Sequence, residues 1–267
     1  MTQQTHSKMT ALITGASGGI GLELSRLFAR DGYNLILVAR SAEKLQTLAR
    51  EVEQVHGITA TALPADLSQP NSARELYRQV QAKGIQVDAL VNNAGFGILE
   101  PLASSCLEDS LEMLQLNVVS LTVLTQLFLP AMIQRRSGRI MNVGSTGSFA
   151  PVPLMAVYGA TKAYVLSFSE AIAEEVRGTG VTVTAFCPGV TMTGFQARSG
   201  VNEARMLLKM GTMTAEQAAR IGYRALMRGR PVIVPGFWNS LIAFSPRLAP
   251  RSFAARTSKR MMEPAAN

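Results

Sequence analysis

Tyr158 and Lys162 stand four residues apart in the apolar-periodic run Val157–Arg177, which reads as a helix. That spacing puts both on one helical face. A free phenol titrates at about 10, too high to move protons at neutral pH, and a neighbouring ammonium lowers that value by favouring the phenolate. The pair is therefore a candidate general acid and base. Three further polar positions fall where such a pair would need them. Ser145 follows the strand Arg139–Val143, and Asn92-Asn93-Ala94-Gly95 closes the strand Ala89–Asn92, at the edge where open α/β sheets bind ligands. Asn117 interrupts a long apolar helical run, where a buried amide needs a partner. Singly, Ser145 reads as a strand-end cap, Asn117 as a satisfied core amide and Tyr158 as a packing ring. Together they make a proton-transfer constellation.

A second chemical signal lies near the start. Gly15, Ser17, Gly18, Gly19, Ile20 and Gly21 belong to Thr14-Gly-Ala-Ser-Gly-Gly-Ile-Gly21, between the strand Met9–Thr14 and the helix Gly19–Arg30. Glycines let a backbone approach closely, and a helix N-terminus offers free N–H groups and partial positive charge to a pyrophosphate. At a strand-to-helix junction they point to a dinucleotide. The next strand ends in Val38-Ala39-Arg40-Ser41. NAD sites place an acidic residue there for the ribose hydroxyls; Arg40 instead suits a 2′-phosphate, so NADP(H) is expected.

These residues must be carried by alternating elements. Strands are expected at 9–14, 34–39, 58–63, 89–92, 139–143, 181–186 and 231–234, with helices at 19–30, 42–56, 71–83, 107–134, 157–177, 202–209 and 215–228. Repeated strand–helix–strand units imply an α/β fold: a Rossmann-like doubly wound parallel sheet of about seven strands with helices on both faces. The expected organisation is one catalytic domain over 1–235, including a substrate lid at 194–214, then a basic amphipathic extension over 236–267.

Composition narrows the classes. The chain has 267 residues, 47% hydrophobic and 16% charged, which argues against disorder. Two cysteines, Cys106 and Cys187, exclude a disulfide scaffold; with His6 and His56 as the only histidines, no metal site is expected. The formal net charge of +8 is concentrated late: residues 198–267 hold 12 Lys/Arg against 3 Asp/Glu. No nucleic-acid motif accompanies that excess, so nucleic acid is not an expected partner. The polar leader MTQQTHSKMT lacks the apolar core of a secretory signal, and Leu116–Ile133 is interrupted by polar residues and Pro130. A cytoplasmic location is expected.

Thr-Gly-Ala-Ser-Gly-Gly-Ile-Gly21, Asp66, Asn92-Asn-Ala-Gly95, Asn117, Ser145, Tyr158-Gly-Ala-Thr-Lys162 and Pro188-Gly-Val-Thr-Met-Thr193 occur in this order over about residues 9–193. The set resembles the short-chain dehydrogenase/reductase family, and within it bacterial NADP-preferring members related to hydroxysteroid and 3-ketoacyl reductases. The resemblance implies a catalytic tetrad of Asn117, Ser145, Tyr158 and Lys162. Tyr158 would exchange a proton with the carbonyl oxygen, Ser145 would orient that carbonyl, Lys162 would tune Tyr158 and hold the nicotinamide ribose, and Asn117 would anchor a water relay. It further implies cofactor contacts at Asp66 and Leu67 for the adenine, at Asn93, Ala94 and Gly95 for the adenosine ribose, and at Pro188, Gly189, Thr191 and Thr193 for the nicotinamide and phosphates. Arg40 and Ser41 would take the 2′-phosphate, with Ser17 in support. The family's NADP-preferring members often place a basic residue in the glycine turn, which this chain lacks.

Phe195, Met206, Leu207, Leu208, Met210 and Met213 in the lid, with Phe96, Phe149, Leu154 and Met155 at the same edge, point to a small lipophilic carbonyl or alcohol substrate. Tyr164 and Tyr223 read as packing residues. Phe237, Trp238, Leu241, Ile242 and Leu248, followed by Arg247, Arg251, Arg256, Lys259 and Arg260, fit an oligomer contact or a flap better than a membrane surface, which stays an alternative. The resemblance implies a homodimer or homotetramer through the helices at about 107–134 and 157–177. Two rivals to the NADP(H)-dependent carbonyl reductase remain: a dinucleotide-binding scaffold or redox sensor without turnover, and a lipid-modifying reductase peripheral to the inner membrane face.

Overall fold

The computed structural model describes residues 8–192, 212–248 and 250–263. Thr193, the lid residues Phe195, Met206, Leu207, Leu208 and Met210, the expected helix at 202–209 and His6 lie outside them. The strands of the main sheet are β1 (Thr10–Thr14), β2 (Asn34–Ala39), β3 (Ala60–Pro64), β4 (Ala89–Asn92), β5 (Gly138–Val143), β6 (Val181–Phe186) and β9 (Val232–Ile233). They pair in parallel in the order β3-β2-β1-β4-β5-β6-β9. Between them run α1 (Gly19–Arg30), α2 (Ala42–His56), α3 (Ser72–Ala82), α4 (Leu107–Gln134), α5 (Ala156–Glu175) and α6 (Ala215–Met227); α7 (Phe237–Phe244) and α8 (Arg251–Met262) follow. A separate two-stranded pair, β7 (Thr191–Met192) with β8 (Met213–Thr214), was not expected from the sequence.

The strand alternation divides the apolar residues between two cores. Ala11, Ile13, Leu35, Leu37, Val91 and Met141 pack with α1, α2 and α6 through Leu24, Phe28, Leu45 and Leu226. Leu12, Ile36, Val38, Leu90 and Ile140 point the other way, to Leu76 on α3, Leu124 and Phe128 on α4 and Ile172 on α5. Tyr223 is a packing residue as read, edge-on to Phe28, and its hydroxyl also donates to Asp31 at 2.8 Å. The third strand is displaced to 60–64, where Pro64 is tolerated because β3 lies at the sheet's edge.

By length and composition α4 could cross a membrane, but its inner face is built into the second core. Within it, Gln115–Ser120 forms a π-turn, a local widening common at functional sites. Below the carboxyl ends of β4 and β5 runs a buried polar chain. Asn92 Nδ2 donates to Thr125 Oγ1 at 3.0 Å and to Asn142 Oδ1 at 2.9 Å, and Asn142 Nδ2 donates to Ser169 Oγ at 3.0 Å. It ties α4 to β4, β4 to β5 and β5 to α5. Asn142→Ala leaves the Asn92 amide and the Ser169 hydroxyl short of partners, so unfolding free energy falls by about 2–4 kcal/mol in urea titration; a loss under about 0.5 kcal/mol means the chain does not carry this junction.

Candidate active site

The glycine turn is stitched to the end of β4 by one hydroxyl and one amide. Thr14 Oγ1 donates to Val91 O at 3.2 Å and accepts the N–H groups of Asn93 and Ala94, both at 3.0 Å. Asn93 Nδ2 donates to Thr14 O at 2.9 Å and Gly15 O at 3.3 Å. Gly15 has φ +68°, and a Cβ there would stand 2.6 Å from Asn93 Nδ2; one on Gly21 would collide with Gly15 O. Two of the glycines are thus required by the chain's own close approach. The Asn93 side chain turns into that joint, so its part here is to fasten the turn, whereas Ala94 and Gly95 face the open space.

That space is a cavity of about 500 Å³ at the carboxyl edge of β1, β2 and β4. Of the expected cofactor residues, Gly15, Ser17, Arg40, Ser41, Asp66, Leu67, Ala94 and Gly95 line it. Gly18, Gly19, Ile20 and Gly21 form the start of α1, whose first turn holds no acidic side chain to oppose an anion. Burial pushes the Asp66 carboxyl up, but the bonds from the Ser68 hydroxyl and amide, at 2.7 and 3.0 Å, and the nearby Arg40 charge outweigh it and hold it below its ordinary value. Lys44, which sequence reasoning missed, lines the cavity beside Arg40. Its signal was its place three residues after Ser41, whose hydroxyl accepts the Lys44 N–H as the cap of α2. Two cations at the end of β2 and a glycine joint without side chains fit a phosphorylated dinucleotide.

The proton-transfer residues meet farther along the same edge. Lys162 is buried and donates to Val143 O at 2.8 Å. The Ser145 side chain is close enough to the Tyr158 phenol to favour its ionised form. Ser145 also caps the turn Thr146–Ser148, its Oγ accepting the Gly147 N–H at 3.1 Å, so the cap reading and the active-site reading hold together. Asn117, on the π-turn, is fully paired: Oδ1 accepts Phe96 N–H at 3.2 Å, and Nδ2 donates to Phe96 O at 2.9 Å and Thr161 Oγ1 at 3.1 Å. A Cβ on Gly95 would stand 3.0 Å from Asn117 Oδ1 and 3.3 Å from Lys162 Nζ, so Gly95 sits between them. Pro188 and Gly189 lie behind, with Pro188 O accepting Thr146 N–H at 2.9 Å, Gly189 O accepting Thr191 Oγ1 at 3.0 Å, and Asn239 of α7 pressed on Gly189.

One expectation is corrected. The Lys162 ammonium is directed to the Val143 carbonyl, lies over the Tyr158 ring at 5.8 Å from its centre, and does not bring the phenol below its ordinary value. Burial pushes Tyr158 above its ordinary value, opposed by the Ser145 side chain. The same burial lowers Lys162 to about 8 and pushes the adjoining Cys187 thiol up to about 12. Each group is driven toward its neutral form.

The description "short chain dehydrogenase" fits residues 9–204 of the chain. The chain is 31% identical over 239 residues to hydroxysteroid dehydrogenase-like protein 1 of Gallus gallus, covering 88% of this chain and 70% of that protein. It is 36% identical over 177 residues to a very-long-chain 3-oxoacyl-CoA reductase of Aspergillus fumigatus, covering 65% of this chain and 51% of the relative, so it spans about half of that protein. Among solved structures, a short-chain dehydrogenase from Sphingobium yanoikuyae in complex with NADPH superposes with a TM-score of 0.80 at 31% identity, covering 90% of this chain and 94% of the other.

Proposed function

The chain belongs to the short chain dehydrogenase family, oxidoreductases that work with a nicotinamide dinucleotide, and on that premise we propose that it is an NADP(H)-dependent reductase of a lipophilic ketone or aldehyde. The observation that carries the reading is Tyr158 at the sheet edge, with Ser145 beside it and the buried Lys162 ammonium over its ring, on the same edge as a cavity rimmed by Arg40 and Lys44. The NADPH held by the Sphingobium relative supports the choice of cofactor, and the relatives named for hydroxysteroids and 3-oxoacyl-CoA support a lipophilic substrate.

Gly15, Ser17 and the start of α1 would hold the pyrophosphate, Asp66 and Leu67 the adenine side, and Arg40, Ser41 and Lys44 the 2′-phosphate. The nicotinamide supplies the hydride when bound. Ser145 donates to the carbonyl oxygen, which fixes its direction and polarises it. Tyr158, kept protonated by burial, gives its proton to that oxygen as negative charge develops. Lys162 then faces the phenolate left behind and stabilises it until solvent returns the proton. Asn117 acts through Phe96 and Thr161, holding the loop and helix that carry Gly95 and Tyr158.

The exposed stripe Leu107, Leu111 and Leu114 on α4 supports self-association through that helix. A membrane-surface reading draws on α7, where Phe237 and Trp238 are 78% and 72% exposed, and on exposed Arg256, Lys259 and Arg260 of α8.

Three outcomes test these readings. Tyr158→Phe lowers NADPH-dependent reduction of an aryl ketone by roughly 10²–10⁴-fold while NADPH still quenches protein fluorescence. Unchanged turnover removes Tyr158 from the chemistry, and a wild type that binds NADPH but reduces no carbonyl in a broad panel favours the scaffold. Arg40→Asp and Lys44→Ala each weaken NADPH by about tenfold or more and leave NADH unweakened, read as dissociation constants; equal effects on both nucleotides argue against a 2′-phosphate contact. Trp238 is the single tryptophan, so a blue shift of its emission with phosphatidylglycerol vesicles and none with phosphatidylcholine supports the membrane reading, and an unmoved spectrum with both rejects it.

A further inference from the structure

We propose that Asn239 of α7 is a positioning residue for the nicotinamide end of the dinucleotide. Its amide holds the backbone of Gly189, and through the turn Pro188–Thr191 it keeps the hydride donor in line with the carbonyl at Ser145 and Tyr158. The proposal rests on the reading of the site as a nicotinamide-dependent reductase, and adds to it a residue that acts through the backbone.

α7 buries an amide where an apolar helix is expected to bury its large side chains. It reads Phe237-Trp-Asn-Ser-Leu-Ile-Ala-Phe244, yet Phe237, Trp238, Leu241 and Phe244 are exposed and the buried residues are Asn239 and Ala243. A seat for the helix asks only for a small residue, as Ala243 shows one turn on, and a buried amide is costly unless it is bonded. Asn239 Nδ2 donates to Pro235 O at 2.8 Å, just ahead of the helix, and that bond fixes the amide plane. A Cβ on Gly189 would stand 2.6 Å from Nδ2, 2.6 Å from Oδ1 and 2.7 Å from Cγ, so the plane lies broadside on the Gly189 backbone. Only a glycine admits that contact.

Gly189 belongs to a turn tied to the catalytic edge. Pro188 O accepts Thr146 N–H at 2.9 Å, in the turn that Ser145 caps, and α7 packs against that same turn. Gly189 O accepts the Thr191 hydroxyl at 3.0 Å, and Val190 O accepts Met213 N–H at 3.3 Å. With the adenine end at Arg40 and Asp66, the other end of an extended dinucleotide falls at the carboxyl ends of β5 and β6, where this turn begins. Hydride transfer needs the reacting atoms within about 3–3.5 Å, and a misplacement of about 1 Å can cost roughly a hundredfold. A glycine backbone is the least constrained by its own sterics. The bonds on either side hold the ends of the turn, and the Asn239 amide closes the space into which Gly189 could relax.

The test reads dissociation constants by calorimetry on the full-length protein, with no ketone present, for NADPH and for 2′-phospho-ADP-ribose, which lacks the nicotinamide. Asn239→Ala weakens NADPH by about tenfold and 2′-phospho-ADP-ribose by less than about twofold. Gly189→Ala, whose methyl would meet the amide, gives the same selective loss, and adding Asn239→Ala to it brings NADPH back to within about threefold of wild type. A residue that only seats α7 gives another pattern: both ligands weaken together or neither does, and the two substitutions add. Either result overturns the proposal, as does a wild type that gains no affinity from the nicotinamide. A wild type that binds neither ligand rejects the cofactor reading and the proposal with it. Selective loss of NADPH in a protein that reduces no carbonyl upholds the role of Asn239 and rejects the reductase reading.

Discussion

A run of buried side-chain amides and hydroxyls, Thr125–Asn92–Asn142–Ser169, is the constraint on which the active-site edge depends. Polar groups removed from water need partners, and here the partners of the Asn92 and Asn142 amide N–H groups lie on different elements, although Asn92 Oδ1 has none among the described residues. The two central strands and the two long helices are therefore fixed in depth as well as in contact. Hydrophobic packing alone allows a helix to slide by a fraction of a turn, whereas a directional bond to a strand residue does not. The elements so fixed carry Gly95, Asn117, Ser145, Tyr158 and Lys162. Asn117 repeats the device locally, closing on both backbone groups of Phe96 from a π-turn that brings its amide to the loop.

Dehydration then sets the protonation states. Tyr158, Lys162 and Cys187 share one dry region, and the loss of water acts on all three in the same sense, toward the uncharged form. For the tyrosine that form is the acid, the form a reduction consumes. For Lys162 the drive is incomplete: at about 8 it keeps its proton at neutral pH, with the Val143 carbonyl as its partner. The thiol, pushed up to about 12, stays protonated at neutral pH and is a poor nucleophile. Burial thus favours a neutral phenol beside a lysine that keeps its charge, and not a resting phenolate.

What the sequence disclosed follows from how far each signal reaches. Strand alternation and the glycine turn are local, and they located the sheet and the dinucleotide edge; Asp66 and Leu67 of the cavity lining came only with the family resemblance. The spacing of Tyr158 and Lys162 placed them on one helix, but spacing does not say where an ammonium points, and a backbone carbonyl of β5 outcompeted the phenol. The family resemblance gave Asn93 to the adenosine ribose; that its side chain also fastens Thr14 and Gly15 depends on residues distant in sequence. Lys44 resembled any surface lysine of α2 until β2 and β3 set it over the cavity. The π-turn leaves no mark in apolar periodicity, where Asn117 stands out only as an amide in need of a partner.

The C-terminal helices show the same limit from the opposite side. α7 has a continuous apolar stripe, and the usual inference buries such a stripe. Here Phe237, Trp238, Leu241 and Phe244 are the exposed residues, and the helix is seated instead by Asn239 and Ala243. The reason is the surface beneath: Gly189 offers no room for a large side chain, and Asn239 fits there while bonding Pro235 O at 2.8 Å. Space at the seat, not hydrophobicity, chooses the inner face. α8 follows the more ordinary rule, charges outward and Met262 inward, but Met262 joins a small cluster with Met155 and not the main core. The basic residues of α8 thus keep an outer face wet while the inner one rests on a small apolar cluster.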